Sequence, residues 1–312
     1  MVEQEWMFPA TDGVHTLRAC IWTPDEGTRV CGIVQLIHGM AEHIDRYRDF
    51  AMFLVNAGFI VCGHDHLGHG KSVRNDSELG HISFANGKTS MIEHVHVLRM
   101  HMQQTYGTTL PYIVMGHSMG SFIARAYMAR HGDGIAGCIV CGTGNPPAMM
   151  SHAGYVLGHV VAALSDESCV NGLINDLGLG AFSRAIKNAR TDVDWICTDD
   201  AVVDAYIADP YCGQTFTIGG WTMVSDLTRE VVTPKHAAQL PVHCPLLFIA
   251  GEQDPVGKNG IQVTQACNLY KKAGVTDVTC ILYPGMRHEI LNEPEHMRVY
   301  EDVLAWVREH IA

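Results

Sequence analysis

Long apolar runs, runs of basic charge and a leader-like start are all missing from this chain. No segment of its 312 residues approaches the roughly 20 apolar residues that a membrane helix requires. The opening MVEQEWMFPATDGVHTLRAC has neither a basic start nor an apolar stretch of signal-peptide length, so a cytoplasmic location is expected. No block of consecutive Lys or Arg occurs, and acids exceed bases by 33 − 21 = 12, which argues against nucleic acid as a partner and weakly against anionic substrates. A disulfide framework is also not indicated, because the eleven cysteines are an odd number scattered through apolar segments, as suits reduced, buried thiols. Cys138 and Cys141 have C-x-x-C spacing inside the apolar run IAGCIVC, where residues three apart on a strand point to opposite faces, so a redox pair is not expected.

What the chain does have is a rhythm. Apolar runs of strand length recur at 31–37, 59–63, 112–115, 135–141, 246–250 and 278–283. Helical patterns lie between most of them, at 46–56, 91–102 and 261–272, and a closing helix is expected over 294–311. This alternation predicts an α/β fold with a mostly parallel central sheet covered by helices on both faces, preceded by a hairpin over 3–22 that turns near Asp12 and Gly13. The interval from Cys141 to Leu246 breaks the rhythm: about a hundred residues carry helical patterns but no convincing strand. It reads as a helical cap, or lid, over 143–235, inserted into a core of 1–142 and 236–312. Met149, Met150, Tyr155, Leu157, Val160, Val161, Phe216 and Trp221 make it apolar, which suits packing onto the core and a transient membrane or micelle contact.

The segment PYIVMGHSMGSFIARAYMAR, Pro111 to Arg130, places Ser118 between an apolar run and an amphipathic helical pattern, with Gly116 and Gly120 two residues to either side. Gly-X-Ser-X-Gly between a strand and a helix is the pattern of a nucleophile elbow; the plain alternative is a glycine-rich turn. A serine hydroxyl needs a base to take its proton and a third group to orient that base. LLFIAGEQDPVG ends a strand and presents Asp254; ILYPGMRHEILNE ends the last strand and presents His288. The order Ser118, Asp254, His288 is that expected of an α/β-hydrolase triad, with Glu252 and Asp226 as rivals for the carboxylate. The oxyanion donors are expected to be the backbone N–H groups of Met119, after the nucleophile, and Met40, in the His38-Gly39-Met40 loop.

The segments QLIHGMAEHIDRYRDF, GHDHLGHGKS, GHSMGS, GEQDPV and YPGMRHEILNE resemble the monoacylglycerol lipase and lysophospholipase group of α/β-hydrolases, and DWICTDDAVVDAYIADPYCGQTFT resembles that group's cap. The resemblance implies a Ser118, Asp254, His288 triad, Met40 and Met119 in the oxyanion hole, no cofactor, and an ester substrate with an apolar acyl chain. It implies neither the acyl length nor the alcohol, and the oligomeric state is not legible. His64, His66 and His69 come near a metallo-hydrolase signature, but Gly68 stands where its aspartate ligand would be, so no metal is expected; the resemblance makes Asp65, Gly68 and Gly70 the shapers of a turn instead. Asp192, Asp194, Asp199, Asp200, Asp204 and Asp209 lack EF-hand spacing and read as a solvated surface. The glycines at 178 and 180 lack the rest of a dinucleotide fingerprint. Two other readings stay open: a non-hydrolytic ligand-binding protein on this fold, and a cofactor-free perhydrolase using the same triad.

Overall fold

The apolar runs pair side by side. In the computed structural model, which describes residues 1–311, the strands are β1 (Val2–Pro9), β2 (Thr16–Thr23), β3 (Gly32–Ile37), β4 (Phe59–His64), β5 (Tyr112–His117), β6 (Gly137–Cys141), β7 (Leu246–Gly251) and β8 (Val278–Tyr283). They form one sheet in the order β1-β2-β4-β3-β5-β6-β7-β8. β1 and β2 are antiparallel, as is β2 against β4; every pairing from β4 through β8 is parallel. The leading hairpin turns where expected, with Gly13 at φ +71° and the Asp12 carboxylate accepting from the Val14 N–H at 2.9 Å.

Parallel strands that are apolar at every position need cover on both faces. Helices α1 (Arg48–Asn56) and α11 (His296–His310) cover one face, packing on Val34, Leu36, Ile113 and Ile249. Helices α2 (Gly87–Tyr106), α3 (Met119–His131) and α10 (Ile261–Lys272) cover the other, packing on Ile33, Ile37, Val114 and Phe248. Each fully buried Val, Leu, Ile or Phe contributes roughly 1.5–3 kcal/mol, which holds the layers together. Cys138 and Cys141 lie in opposite cores, as their spacing on a strand requires, and both are buried free thiols.

Two features differ from the sequence expectation. Helix α3 is not amphipathic, because ten successive residues from Met119 to Met128 are buried. The sheet, α2 and a helix of the long insertion enclose it on all sides. The insertion consists of α4 (Ala148–Leu164), α5 (Gly172–Asn175), α6 (Ala181–Ser183), α7 (Asp200–Ala208) and α8 (Ile218–Val231), with the short α9 (Pro234–Ala237) leading back to β7. Met223, Leu227 and Val231 of α8 share the core of α2 and α3. This part of the insertion is therefore built into the main body.

Arg125 on α3 explains how it is anchored. Its buried guanidinium donates to the Gly144 carbonyl at 3.1 Å, where the insertion departs, to the Val231 carbonyl at 2.8 Å, where it returns, and through Nε to the Tyr270 hydroxyl at 3.0 Å. Hydrogen bonds to charged groups are worth roughly 1.5–3 kcal/mol, and stranding a buried acceptor costs a similar amount. Arg125→Met is expected to lower the unfolding free energy by about 3 kcal/mol in urea titrations. A loss below about 0.5 kcal/mol would show that these carbonyls find other partners.

Candidate active site

Ser118 sits at φ 53°, ψ −120°, a backbone conformation that L-residues rarely adopt, immediately before the first turn of α3. Its N–H donates to the Cys141 carbonyl at 3.0 Å, fixing the turn to β6. The flanking glycines are needed sterically. A Cβ on Gly116 would lie 2.1 Å from the Gly120 carbonyl oxygen, and one on Gly120 would lie 2.1 Å from that of Ile37. Strand, helix and the β3 loop approach so closely here that no side chain fits between them.

The loops after β7 and β8 bring Asp254 and His288 together. His288 Nδ1–H donates to Asp254 Oδ2 at 2.9 Å, while Asp254 Oδ1 accepts from the Val256 N–H at 2.9 Å. Both side chains are buried. Burial alone would push the His288 imidazole down, but the charge and hydrogen bond of Asp254, aided by Glu289 and Glu42, more than offset it and hold the ring above its usual range. Nε2, the other ring nitrogen, is buried without a hydrogen-bond partner among the described residues, and His288 and Ser118 line the same cavity. Neither rival carboxylate bonds His288: Glu252 is exposed, and Asp226 pairs with Lys88 at 2.9 Å.

Met40 and Met119 line the same wall. Met119 opens α3, where an N–H has no partner within its own helix. The His38-Gly39-Met40 loop presses against the elbow so tightly that a Cβ on Gly39 would fall 3.0 Å from that of Ser118. The cavity measures about 250 Å³ and is walled mainly by apolar side chains, among them Phe122, Leu179, Phe182, Trp195, Trp221 and Val224.

Several contributors were not picked out in the sequence. The ring of His117, next to the serine, lies 4.6 Å from that of His288, and Trp195 covers His288 from the insertion at 5.1 Å between ring centroids. Glu42 and Glu289 also line the cavity. The adjacency of Glu289 to His288, and of Glu42 to Arg46 at i,i+4, was the available signal.

His64, His66 and His69 do not converge as ligands. His66 Nε2–H donates to the His38 carbonyl at 3.2 Å and His69 Nδ1–H to that of Leu67 at 2.8 Å, within a buried group that includes His38 and His94. Asp65 accepts from the Ile44 and Lys71 N–H groups at 2.9 and 3.0 Å, and Gly68 and Gly70 have φ of +70° and +48°, so these three do shape the turn. The donor atoms of His43, Asp209 and Cys212 lie within 4.8 Å of one another, with His43 Nε2–H already bonded to Asp209 at 2.9 Å. The insertion's acids are not simply a solvated surface. Asp194 is buried, Asp199 caps α7 through the Ala201 N–H, and Asp204 pairs with Arg190.

A mostly parallel sheet sandwiched by helices, with a serine at the tight turn after its central strand and a His–Asp pair on the later loops, defines the α/β-hydrolase class. Residues 28–295 match the family described as Serine aminopeptidase, S33, and the chain belongs to that family. The monoacylglycerol lipase of Mycolicibacterium smegmatis is 31% identical over 312 residues, 98% of each chain. Human monoglyceride lipase is 27% identical over 284 residues, covering 90% of this chain and 83% of its own. Among solved structures, a highly thermostable carboxyl esterase from Bacillus coagulans in complex with glycerol is similar over 100% of both chains, with a TM-score of 0.91 and 33% identity. The chain is a serine ester hydrolase of the lipase and esterase kind. No helix among the described residues is long and apolar enough to cross a membrane.

Proposed function

We propose that the chain hydrolyses monoacylglycerol-like or lysophospholipid-like esters through an acyl-enzyme. The observation that carries this reading is the shared cavity: Ser118 and His288 line one apolar chamber, and His288 Nε2 has no other hydrogen-bond partner among the described residues. Ser118 Oγ attacks the ester carbonyl as its proton passes to His288 Nε2. Asp254 keeps the proton on Nδ1, orienting the ring and stabilising the imidazolium without taking the proton itself. The N–H groups of Met40 and Met119 receive the developing oxyanion. His288 then protonates the leaving alcohol and activates the water that frees the acid.

Segment 143–235 acts as the lid in this scheme. Its helix α4 exposes Met149 at 84%, beside Met150, which lines the cavity, and leaves Val156, Leu157, Val160 and Leu164 exposed further along. An exposed apolar rim next to a lipid-sized chamber fits transient contact with a micelle or membrane surface. The substrate is tested by an ester panel varying acyl length and head group. Each buried methylene is worth about 0.8 kcal/mol, so kcat/KM is expected to rise about fourfold per methylene until the chamber is full. A flat acyl profile would contradict the assignment of the apolar cavity to the acyl chain.

A further inference from the structure

Beside the cavity lies a charged group that the hydrolysis scheme does not use. Arg46 Nη1 donates to Glu42 Oε2 at 2.9 Å and to Glu289 Oε1 at 2.6 Å, and Nη2 donates to Glu289 Oε2 at 2.6 Å. Glu42 and Glu289 are 4% and 5% exposed. Two carboxylates sharing one guanidinium away from water are costly to maintain, so what they hold in place is informative. The remaining oxygen of Glu42 shows what that is. Oε1 accepts from the Gly39 N–H at 2.6 Å and from the Tyr47 hydroxyl at 2.8 Å.

The Gly39 carbonyl is held as well. His38 Nδ1–H donates to it at 2.8 Å, and His38 Nε2 accepts from the His66 N–H at 3.0 Å, which sets the tautomer. Gly39 C=O and Met40 N–H belong to one planar, trans peptide unit, so fixing the first turns the second the opposite way. The Gly39 N–H is occupied by Glu42, whereas the Met40 N–H, the next along the chain, has no partner among the described residues. We infer that Glu42 is a positioning residue for the Met40 N–H, acting with His38, and that Arg46 ties this clamp through Glu289 to the loop carrying His288. The inference rests on the hydrolase reading and assigns the oxyanion donor's orientation to a side chain, which makes it accessible to substitution. Glu289 extends the tie into the lid, since its N–H donates to the Ile196 carbonyl at 2.7 Å.

The test is steady-state kinetics on Glu42→Met and Glu42→Gln, together with inhibition by an alkylboronic acid, whose tetrahedral adduct on Ser118 places an oxygen between the oxyanion donors. Losing one such donor lowers kcat by about 100- to 1,000-fold. Glu42→Met is expected to lower kcat about 100-fold with KM within about threefold, and to weaken the boronate by a matching factor. Glu42→Gln, whose amide oxygen still accepts from Gly39, should recover at least about tenfold of that loss. A folded Glu42→Met enzyme with kcat and boronate affinity within about threefold of wild type would overturn the proposal. Should Glu42→Met not fold, amide hydrogen exchange at Gly39 in the wild type decides: strong protection supports the clamp, and free exchange refutes it. Wild-type protein that neither hydrolyses esters nor binds the boronate, with Gly39 protected, would refute the hydrolase reading and the role of Glu42 in it, leaving only the clamp itself.

Discussion

Replacing Ser118 by alanine is expected to lower kcat for ester hydrolysis by roughly a million-fold, with the fold intact. The size follows from the chemistry, because the acyl-enzyme needs an oxygen at this position and alanine has none. His288 and Asp254 contribute through that oxygen, so removing it removes their effect too, and only substrate binding and the oxyanion donors remain. Stability should change little. His288 Nε2 has no hydrogen-bond partner among the described residues, so no bond from it to Ser118 Oγ is lost, and the backbone bond to Cys141 is untouched by the substitution. Unchanged thermal unfolding beside abolished turnover is the expected pair of results.

Acid is expected to destabilise the protein well above the range where carboxylates titrate. Burial, together with neighbouring imidazoles, pushes His38, His64, His66 and His117 well below the usual histidine value of 6.5. Burial also holds His69 and His94 at about 4. A histidine whose folded pKa is depressed binds its proton more readily in the unfolded chain, so stability falls as pH drops through 6.5 and continues to fall to about 4. His69 and His94 are each worth on the order of 3 kcal/mol across that window, and the other four add to it. His288 works the other way, since its raised value stabilises the fold below 6.5, but one group cannot offset six. Urea denaturation at pH 7.5, 6 and 5 should show a loss of several kcal/mol. A midpoint that does not move between pH 7.5 and 5 would mean that these rings are solvated in the native state.

Much of this molecule is legible in its sequence, and the legible part is local. The run at 112–115 appears as β5 because a strand buried on both faces must be apolar throughout, and the run at 278–283 appears as β8, a half-buried edge strand that is still mainly apolar. Helix α10 spans the expected 261–272, bounded by Gly260 and followed by Gly274. Ser118, Asp254 and His288 stand out because strand-end loops bearing them have short-range signatures. The parts that were not legible depend on long-range contacts. Arg125 on a buried helix looks like an exposed charge until the carbonyls of Gly144 and Val231 surround it. Arg46 and Glu289 are 243 residues apart, and periodicity carries no information about such a pair. Helix α3 read as amphipathic for the same reason, because the cover on its second face comes from α8, a hundred residues further on.

The central claim is that Ser118 is a nucleophile activated by His288, and an active-site-directed fluorophosphonate tests it without knowledge of the natural ester. The reagent phosphonylates a serine only where a base removes its proton and oxyanion donors receive the P–O charge. Peptide mapping by mass spectrometry should find one adduct, on the peptide carrying Ser118, absent from Ser118→Ala and strongly slowed in His288→Asn. Wild-type protein that stays unlabelled, or is labelled elsewhere with Ser118 free, would contradict the account.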